Sequence, residues 1–357
     1  MRVLLVGDYP PPSGGISVHV QQLHGVLRRA GIDAHVLDIG KGRQRHPDVT
    51  AAHSPWAYAS RLAAFAARGY LIHLHTSGNN RKAWAVAASC AWMPLRRAPR
   101  VLTIHSGLMP EALAADPRLR QLARAAARGF SAVIAVSEPV SRALVSLPLP
   151  ARRIRVHPAF IASAVAPGEP PPELAAARGR RRTLITVAHH PSPVYGRALT
   201  FQALRQLAVQ RPDVGLAVFG PGTRDTAFDE AAQSAGVSHL IENFGELPHG
   251  QALALLQASD AFIRPTLADG DSISVREALA LGTPTVASDV ATRPAGTVLF
   301  RSQDPGDLTR ALLQALAAGR RAPEAAPEAD SGEATLRLYQ QLTRGEGTSD
   351  EIVQSSG

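Results

Sequence analysis

The stretch "RVLLVGDYPPPSGGISVHVQQLHGVLRRAGIDAHVLDI" (residues 2–39) predicts a strand, a helix and a second strand in succession. Its two ends, "RVLLVG" (2–7) and "AHVLDI" (34–39), are short apolar runs with β-branched residues, which is typical of buried strands. Between them, apolar residues recur at spacings of three and four, as on an amphipathic helix: Ile16, Val20, Leu23, Leu27 and Ala30. Alternating strands and helices form parallel sheets, so this stretch predicts an α/β fold.

The same alternation runs through the rest of the chain in two series. The first series predicts further strands at residues 70–75, 100–105, 132–136 and 154–157. The second predicts strands at 183–188, 214–220, 239–245, 261–265, 284–288 and 297–300, with one of its helices at 251–259. Between the series lies a Pro- and Gly-rich segment that is poor in large apolar residues, which predicts a linker.

The expected organisation therefore has a first α/β domain, a linker, a second α/β domain of similar size and a tail. Their predicted bounds are 1–162, 163–182, 183–320 and 321–357. Within the tail, residues 333–345 could form one more amphipathic helix, and the last dozen residues are expected to be disordered. Ligands of such sheets bind beyond the carboxyl ends of the strands, so functional residues are sought there.

Composition excludes several classes of protein. With 45% apolar residues in 357, the chain can build two sizeable cores. The chain contains no run of about 18 apolar residues, so no membrane span is predicted. The apolar run at its start is short, which predicts a strand rather than a signal peptide. The single cysteine, Cys90, excludes a disulfide framework or a cysteine-based zinc cluster. We expect a cytoplasmic protein, with peripheral association at the inner face of the membrane as one possibility.

The chain is basic, with a formal charge of +9 that is carried almost wholly by arginine. Abundant Ala, Arg, Gly and Pro together indicate a GC-rich coding sequence, which by itself explains this bias. The functional alternative is attraction to phosphate on nucleotides or anionic lipid. Nucleic acid is not an expected partner, because aromatic residues are only 5% and no helix-turn-helix, zinc finger or RNP-like motif occurs.

Glycine and histidine residues follow three strands of the first domain. Gly14 and Gly15 precede the first helix, where small residues let backbone N–H groups approach an anion; the alternative is an ordinary turn. His75 and His105 each end a strand and are followed by a hydroxyl residue and a glycine. Such histidines can donate to a sugar or phosphate, or exchange protons near neutral pH, although either could be purely structural.

The stretch "DGDSISVREALALGTP" (269–284) carries three carboxylates at the end of a strand of the second domain. Ser274 and Glu277 fit the S-x-x-E capping box, which predicts a helix start at this point. That box does not explain Asp269 and Asp271, which flank a glycine and could ligate a hard cation. Metal-dependent sugar-transfer enzymes place such a triplet in a single nucleotide-binding domain, so a metal is not expected here.

Taken together, these motifs resemble the retaining glycosyltransferases of the GT-B fold in family 4 (glycosyl transferases group 1). The matching pieces come in family order over residues 1–160 and 183–316. They are the Gly14–Gly15 loop, "SAVIAVSEPVSRALV", "VFGPG", "FGELPHGQALALLQASDAFIRPT" and an acid followed eight positions later by Glu. Asp269 and Glu277 supply that last signature, with Asp replacing the usual first Glu. The resemblance implies two Rossmann-like domains facing a central cleft.

The resemblance also implies roles for individual residues. Glu277 would bind the ribose hydroxyls of a nucleotide-sugar donor, and Asp269 would hold hydroxyls of the donor sugar. His105 would lie near the transferred sugar, so His105 and Asp269 are the implied catalytic residues. The other donor-binding residues that we predict are Gly15, His189, Arg197, Gly220, Arg264, Asp271, Ser272 and Ile273, and the predicted acceptor-binding residues are Gly14 and His75. Neither a metal nor a cofactor is implied, because the leaving diphosphate takes the acceptor's proton on the same face and the anomeric configuration is retained.

One family feature is missing from the second domain. The family carries an Arg and a Lys that clamp the diphosphate, but His189 stands at the Arg position and Tyr195 about where the Lys is expected. Charge-assisted hydrogen bonds of this kind contribute about 1.5–3 kcal/mol each. Arg264, before Pro265, is the predicted replacement, with His189, Arg197 or Arg276 as further candidates.

Three functions remain open from the sequence. The first is an active glycosyltransferase whose acceptor is a surface polysaccharide, a lipid-linked sugar or a small molecule, with Asn79, Asn80 and Arg81 near it by position alone. The second is a non-catalytic relative that uses the same cleft to bind a sugar nucleotide or a partner protein. The third is a sugar-nucleotide 2-epimerase, which shares the two-domain plan. The sequence leaves the oligomeric state open.

A basic helix is predicted in "DPRLRQLARAAARGF" (116–130), with Asp116 as N-cap and Pro117 in the first helical position. Arg120, Arg124 and Arg128 lie on one face, and the apolar residues lie largely on the other. Such a helix could dock on an anionic membrane, as suits a lipid-linked acceptor. The alternative is a solvated helix packed on its own sheet.

Overall fold

The fold was obtained from a computed structural model, which describes residues 1–40, 46–93, 98–322 and 330–344. The chain divides into two compact units. The first unit contains residues 1–11, 16–159 and 330–344, and the second contains 12–15 and 160–322. In the described parts of the chain, no helix combines the length and hydropathy that a membrane span requires.

The first unit is built on a seven-stranded parallel sheet flanked by helices. Its elements up to residue 156 are β1 (Arg2–Gly7), α1 (Gly15–Arg29), β2 (Asp33–Asp38), β3 (Val49–Ala51), α2 (Pro55–Ala67), β4 (Leu71–Thr76), α3 (Arg81–Trp92), β5 (Arg100–Ile104), α4 (Met109–Ala115), α5 (Pro117–Ala127), β6 (Ala132–Ala135), α6 (Glu138–Val145) and β7 (Ile154–Val156). The strand order is β3-β2-β1-β4-β5-β6-β7. The predicted strands of the first series are confirmed within one or two residues; β3 was missed because it has only three residues, all half-buried.

The second unit repeats this plan with six parallel strands. Its elements are α7 (Leu174–Arg180), β8 (Thr183–Ala188), α8 (Arg197–Gln210), β9 (Val214–Phe219), α9 (Thr226–Ser234), β10 (Ile241–Gly245), α10 (His249–Ala258), β11 (Ala261–Arg264), α11 (Ile273–Ala280), β12 (Thr285–Ser288), β13 (Val298–Phe300) and α12 (Pro305–Ala318). The strand order is β10-β9-β8-β11-β12-β13. Helix α7 lies inside the segment 163–182, where composition predicts a linker; only Leu174 and Ala177 of this helix are buried, too few to produce a periodic signal.

A last helix, α13 (Ser331–Arg344), belongs to the first unit although it follows the second in sequence. Its Tyr339 is completely buried, and the phenolic oxygen forms a short hydrogen bond with Nδ1 of His73 on β4. The helix predicted at 333–345 is therefore confirmed. The end predicted to be disordered falls in residues 345–357, outside the described residues.

The strand order of each sheet determines where a ligand site can form. In both sheets the order reverses beside the first strand, between β1 and β4 and between β8 and β11. At such a switch point the two following loops diverge, which opens a crevice at the carboxyl edge of the sheet. The predicted site residues follow these strands: Gly14 and Gly15 come after β1, His75 lies on β4, His189 comes after β8, and Asp269 comes after β11.

Large side chains fill the core of the first unit, and Trp84 of α3 is the largest of those that are fully buried. Its indole Nε1 donates a 2.7 Å hydrogen bond to the carbonyl of Gly78, so its polar atom is satisfied as well. The three tryptophans of the chain, Trp56, Trp84 and Trp92, all lie in this unit. Their fluorescence therefore reports the unfolding of the first unit alone.

We predict that Trp84→Ala lowers the free energy of unfolding of the first unit by about 3–5 kcal/mol, because it leaves a cavity and an unpaired carbonyl. Trp56→Ala is the matched control, because Trp56 is 82% exposed; its effect should stay within about 0.5 kcal/mol. Urea unfolding followed by tryptophan fluorescence measures both. Equal effects of the two substitutions would contradict the assigned packing of α3.

Candidate functional site

Asp269 is the most strongly paired carboxylate at the switch point of the second unit. Arg264 Nε donates to Asp269 Oδ2 at 3.0 Å, and Arg293 Nη1 donates to the same oxygen at 2.8 Å. Thr266 Oγ1 donates to it as well, at 3.2 Å. Burial raises the pKa of Asp269, but the charges and hydrogen bonds of Arg264 and Arg293 outweigh it and hold the pKa well below its usual range. Asp269 is therefore ionised at neutral pH.

Arg264 ends β11 and is held between this carboxylate and an aromatic ring. Its guanidinium lies 4.9 Å from the centre of the Tyr195 ring, a cation–π contact. Burial lowers the pKa of Arg264, but the charge of Asp269 raises this pKa by a larger amount. The net shift is upward, so Arg264 remains a cation. Tyr195 stands about where the family's Lys is expected, and it positions the Arg264 cation instead of supplying one.

The loop that carries Tyr195 can approach β11 because the next residue is glycine. Gly196 has φ +67°, a left-handed conformation that favours glycine, and a Cβ placed on it would lie 2.0 Å from the carbonyl oxygen of Pro265. Any larger residue would push the loop away from Pro265. The contact between Tyr195 and Arg264 therefore depends on this glycine.

Glu277 lies on α11 and is 4% exposed. Its Oε1 lies 2.7 Å from Nε2 of His249, the first residue of α10. The capping box predicted from Ser274 and Glu277 is wrong. The N-cap is Ser272 and its side chain forms no capping bond, so Ser274 lies inside the helix. The Glu277 carboxylate is turned inward, toward His249.

The second acid of the Asp-Gly-Asp triplet also pairs with an arginine. Asp271 Oδ1 accepts a 2.7 Å hydrogen bond from Nε of Arg276, whose side chain is only 15% exposed. Arg276 thus turns back to the start of α11 instead of pointing into solvent. A divalent cation at Asp269 and Asp271 would have to displace guanidinium groups, so the geometry favours an arginine-paired site over a metal site.

His189 and Gly220 lie together where β8 and β9 end. His189 is buried, and desolvation together with the charge of Arg197 lowers its pKa to about 4, so it is neutral at physiological pH. The role of His189 in place of a diphosphate-binding Arg stays a prediction, because a bound diphosphate would itself favour the protonated imidazole. Gly220 has φ +123°, and a Cβ there would lie 2.3 Å from the His189 carbonyl oxygen, so only glycine fits. Arg197 begins α8, with its guanidinium 6.0 Å from the Phe228 ring.

In the first unit, the structure brings His75 and His105 together. Nδ1 of His75 lies 3.2 Å from Nε2 of His105, and the ring of His19 on α1 lies within 5.3 Å of both rings, centre to centre. His19 was missed, although its spacing of three from Ile16 and four from Leu23 places it on the buried face of the helix. Burial lowers the pKa values of all three histidines, that of His19 to about 4, so they are neutral.

The start of α1 leaves room above its backbone. A Cβ placed on Gly15 would meet no atom of the described residues within 4 Å. This space is compatible with the approach of an anion to the helix start, which stays a prediction. Asn80, by contrast, has a structural role, because its Oδ1 caps α3 by accepting from Ala83 N. Arg81 also has a structural role, because it forms an ion pair of 2.8 Å with Asp116.

The pair of His249 and Glu277 makes stability depend on pH. Burial lowers the pKa of His249, but the hydrogen bond and charge of Glu277 raise it, and the net shift is upward from 6.5. A raised folded-state pKa gives stability that is fully present below the unfolded value and is lost as pH rises through the folded value. We therefore predict that His249→Gln costs about 2 kcal/mol below pH 6 and less above pH 8.

Thermal unfolding of the second unit, followed by circular dichroism between pH 5 and 9, measures this difference. His239→Gln is the matched control, because His239 is exposed in the same unit. A cost of His249→Gln that stays constant over this range would show that the ion pair does not form.

Two segments match known families of sugar-transfer enzymes. Residues 13–164 match the family described as Glycosyltransferase Family 4, and residues 181–318 match Glycosyl transferases group 1. Together the two matched segments take in most of the chain, in the order that the sequence resemblance predicted.

The sequence identity to individual proteins of known activity is low. The chain is 24% identical over 139 residues to one component of the phosphatidylinositol N-acetylglucosaminyltransferase of Arabidopsis thaliana, over 37% of this chain and 31% of that protein. It is 29% identical over 111 residues to the phosphatidyl-myo-inositol mannosyltransferase of Mycolicibacterium smegmatis, over 30% of this chain and 28% of that protein. These alignments span less than a third of the relatives' own lengths.

Among solved structures, Anabaena HepE in complex with UDP-glucose matches with a TM-score of 0.72 and 18% identity, over 97% of this chain and 99% of that one. At this identity the match shows the fold, which is GT-B. The two family matches, the fold and the Asp269–Glu277 signature agree, and the chain belongs to the group 1 glycosyltransferases of family 4.

Proposed function

We propose that this protein transfers a sugar from a nucleoside-diphosphate sugar to an acceptor hydroxyl with retention of configuration and without a metal ion. The observation that carries this proposal is the paired Asp269 at the end of β11, with Glu277 eight residues later on α11. This arrangement corresponds to the donor signature of the family. The solved relative HepE, described with bound UDP and UDP-glucose, supports the donor class.

Arg264 and Arg293 would replace the missing diphosphate clamp. Both guanidiniums share Asp269 Oδ2, and together they carry two positive charges against one negative charge. The net charge of this trio is therefore +1, which favours an anion beside it. Fixed cations of this kind stabilise the negative charge that develops on a leaving diphosphate.

Asp269 retains capacity for the donor sugar in this arrangement. The close contacts of Arg264, Arg293 and Thr266 all go to Oδ2. Among the described residues, Oδ1 accepts from the Gly270 N–H at 3.2 Å and from Arg264 Nη2 at 3.4 Å, which is near the limit for a hydrogen bond. A sugar hydroxyl would therefore replace the 3.4 Å bond from Arg264 Nη2 at Oδ1, and the ion pairs at Oδ2 would persist.

The proposed reaction balances within donor and acceptor. The bond between the anomeric carbon and the diphosphate oxygen breaks, and the acceptor oxygen bonds to the same face of that carbon. The acceptor proton passes to the leaving diphosphate. Glu277 would bind the ribose, and neutral His105 in the first unit would hydrogen-bond the transferred sugar rather than act as a cation.

We predict that one of UDP, GDP, ADP and TDP binds in calorimetric titration, and that Arg293→Ala weakens this binding at least about tenfold through loss of a charge-assisted bond. Arg301→Ala is the matched control, because Arg301 is 77% exposed in the same unit. Glu277→Ala should weaken binding as well, through the ribose.

Two outcomes would overturn this assignment. One is that no nucleotide binds at millimolar concentration, and the other is that Arg293→Ala binds as tightly as the wild type. Arg293→Lys, which keeps the charge, and circular dichroism of each variant separate a lost contact from misfolding.

A non-catalytic relative is the second candidate, motivated by the absent Arg and Lys of the family clamp. Slow hydrolysis of the bound donor that disappears in Asp269→Asn would exclude it. Nucleotide binding without hydrolysis or transfer would favour it, and would leave the donor-site assignment intact.

We further propose that the acceptor is lipid-linked and that the first unit docks on an anionic membrane. The two curated relatives are named for phosphatidylinositol compounds, which supports a lipid acceptor. Helix α5 begins at the predicted cap Asp116, and it buries Leu119 and Ala123 in the core of its own unit. Its apolar face is thus used internally, and only its polar face can meet lipid.

A basic surface remains, formed by the arginines of α5 and the end of α3. Arg120, Arg124 and Arg128 are exposed, Trp92 is 63% exposed and Met93 is 41% exposed. Trp92 is fixed beside α5 by a 3.2 Å hydrogen bond from its Nε1 to the carbonyl of Ala125. Arginines with an exposed indole suit the interface of an anionic bilayer.

We predict that the protein floats with vesicles containing anionic lipid, but not with neutral vesicles, and that salt releases it. Trp92→Ala combined with Arg124→Ala should at least halve the floated fraction. The control is Arg205→Ala, an exposed arginine of α8 in the second unit. Equal flotation on neutral and anionic vesicles, or none at all, would contradict the docking surface.

A further inference from the structure

We propose that His19, His75 and His105 form a binding site for one divalent transition-metal ion of the zinc class. The three rings form a nearly equilateral triangle, with centre-to-centre distances of 5.2, 5.3 and 5.5 Å. In a tetrahedral site with Zn–N bonds of about 2.0–2.1 Å, imidazole ring centres lie roughly 5.2 Å apart. The side chains thus already have the spacing of a three-histidine site.

The nitrogen atoms support the same geometry. One ligand atom from each histidine can be chosen so that all three lie within 4.8 Å of one another. His75 Nδ1 and His105 Nε2 are 3.2 Å apart. Two ligand nitrogens on one tetrahedral zinc ion are roughly 3.3 Å apart, so this pair already has the required separation. On metal binding, the proton that one of them now donates to the other would move to the second nitrogen of its ring.

The hydrogen bond of His19 fixes the tautomer that a metal ion requires. Its Nδ1 lies 2.9 Å from the carbonyl oxygen of Ala159, and a carbonyl can only accept, so Nδ1 carries the proton. Nε2 of His19 therefore presents a lone pair. A metal-binding histidine commonly donates its other N–H to a carbonyl in this way, which orients the ring and raises its basicity.

In this arrangement the ligand nitrogen of His75 is Nδ1, which faces His105, and its other nitrogen, Nε2, would carry the proton. His75 is 2% exposed, and its Nε2 has no hydrogen-bond partner among the described residues. The neighbouring His73 differs, because both its nitrogens are bonded, to Tyr339 and Thr103. His73 is therefore a supporting residue, and the three other imidazoles are the candidate ligands. All three are neutral, which is the form that binds metal.

His105 lies where a metal ion could enter the site. His19 and His75 are buried, whereas His105 is partly exposed, so an ion can enter past the His105 ring. Three protein ligands leave a fourth position for water or another small ligand. A bound ion would also withdraw the His105 lone pair from the sugar, so zinc should inhibit transfer. This consequence rests on the proposed function, whereas the site itself does not.

The site is tested by adding Zn²⁺ to chelator-treated full-length protein in equilibrium dialysis, and by the visible spectrum of Co²⁺ bound in its place. We expect one ion per chain, a tetrahedral Co²⁺ spectrum, and at least 100-fold weaker binding in His75→Ala and in His105→Asn. His239→Ala, an exposed histidine of the second unit, should bind as the wild type does.

Three results would overturn the site: no Zn²⁺ bound at micromolar concentration, an octahedral Co²⁺ spectrum, or equal binding by wild type, His75→Ala and His105→Asn. The last would place the ion on surface histidines. Because dialysis and the Co²⁺ spectrum do not depend on turnover, failure of the metal site and failure of the proposed function can be told apart. Circular dichroism confirms that each variant is folded.

Discussion

The candidate site of the second unit depends on one buried ionic group, the Asp269 carboxylate between Arg264 and Arg293. Buried charges are tolerated only when they are paired and hydrogen-bonded, so each member of the trio requires the others. Arg264 ends β11, and Arg293 follows β12 and also donates to the Ser288 carbonyl at 3.0 Å. These three side chains thus connect the loops that follow the adjacent strands β11 and β12, and they determine the shape of the carboxyl edge of the sheet.

The two units offer contrasting chemistry at corresponding places in their sheets. At the switch point of the second unit, permanent cations surround a carboxylate, whereas in the first unit neutral imidazoles lie side by side. A charged nucleoside diphosphate suits the former, and uncharged hydroxyl groups suit the latter. The same neutrality leaves the imidazole lone pairs available to a metal ion, because burial keeps protons off them.

Much of the fold could be predicted from the sequence because parallel sheets have a strong local signal. Strands buried on both faces are continuous apolar runs, and amphipathic helices between them repeat every three to four residues. The errors have local causes too. Strand β3 has three residues, α7 buries only Leu174 and Ala177, and the start of α11 was misplaced because Ser274 and Glu277 match a capping box by chance.

The sequence by itself determined the two α/β units, the histidines at the strand ends and the spacing of Asp269 and Glu277, because these depend on neighbours along the chain. Only the tertiary structure decided which groups pair. Arg293 lies 24 residues from Asp269, His249 lies 28 from Glu277, and His75 lies 30 from His105. Contacts at such separations arise when parallel strands align their carboxyl ends, and no local pattern of residues records which side chains then meet.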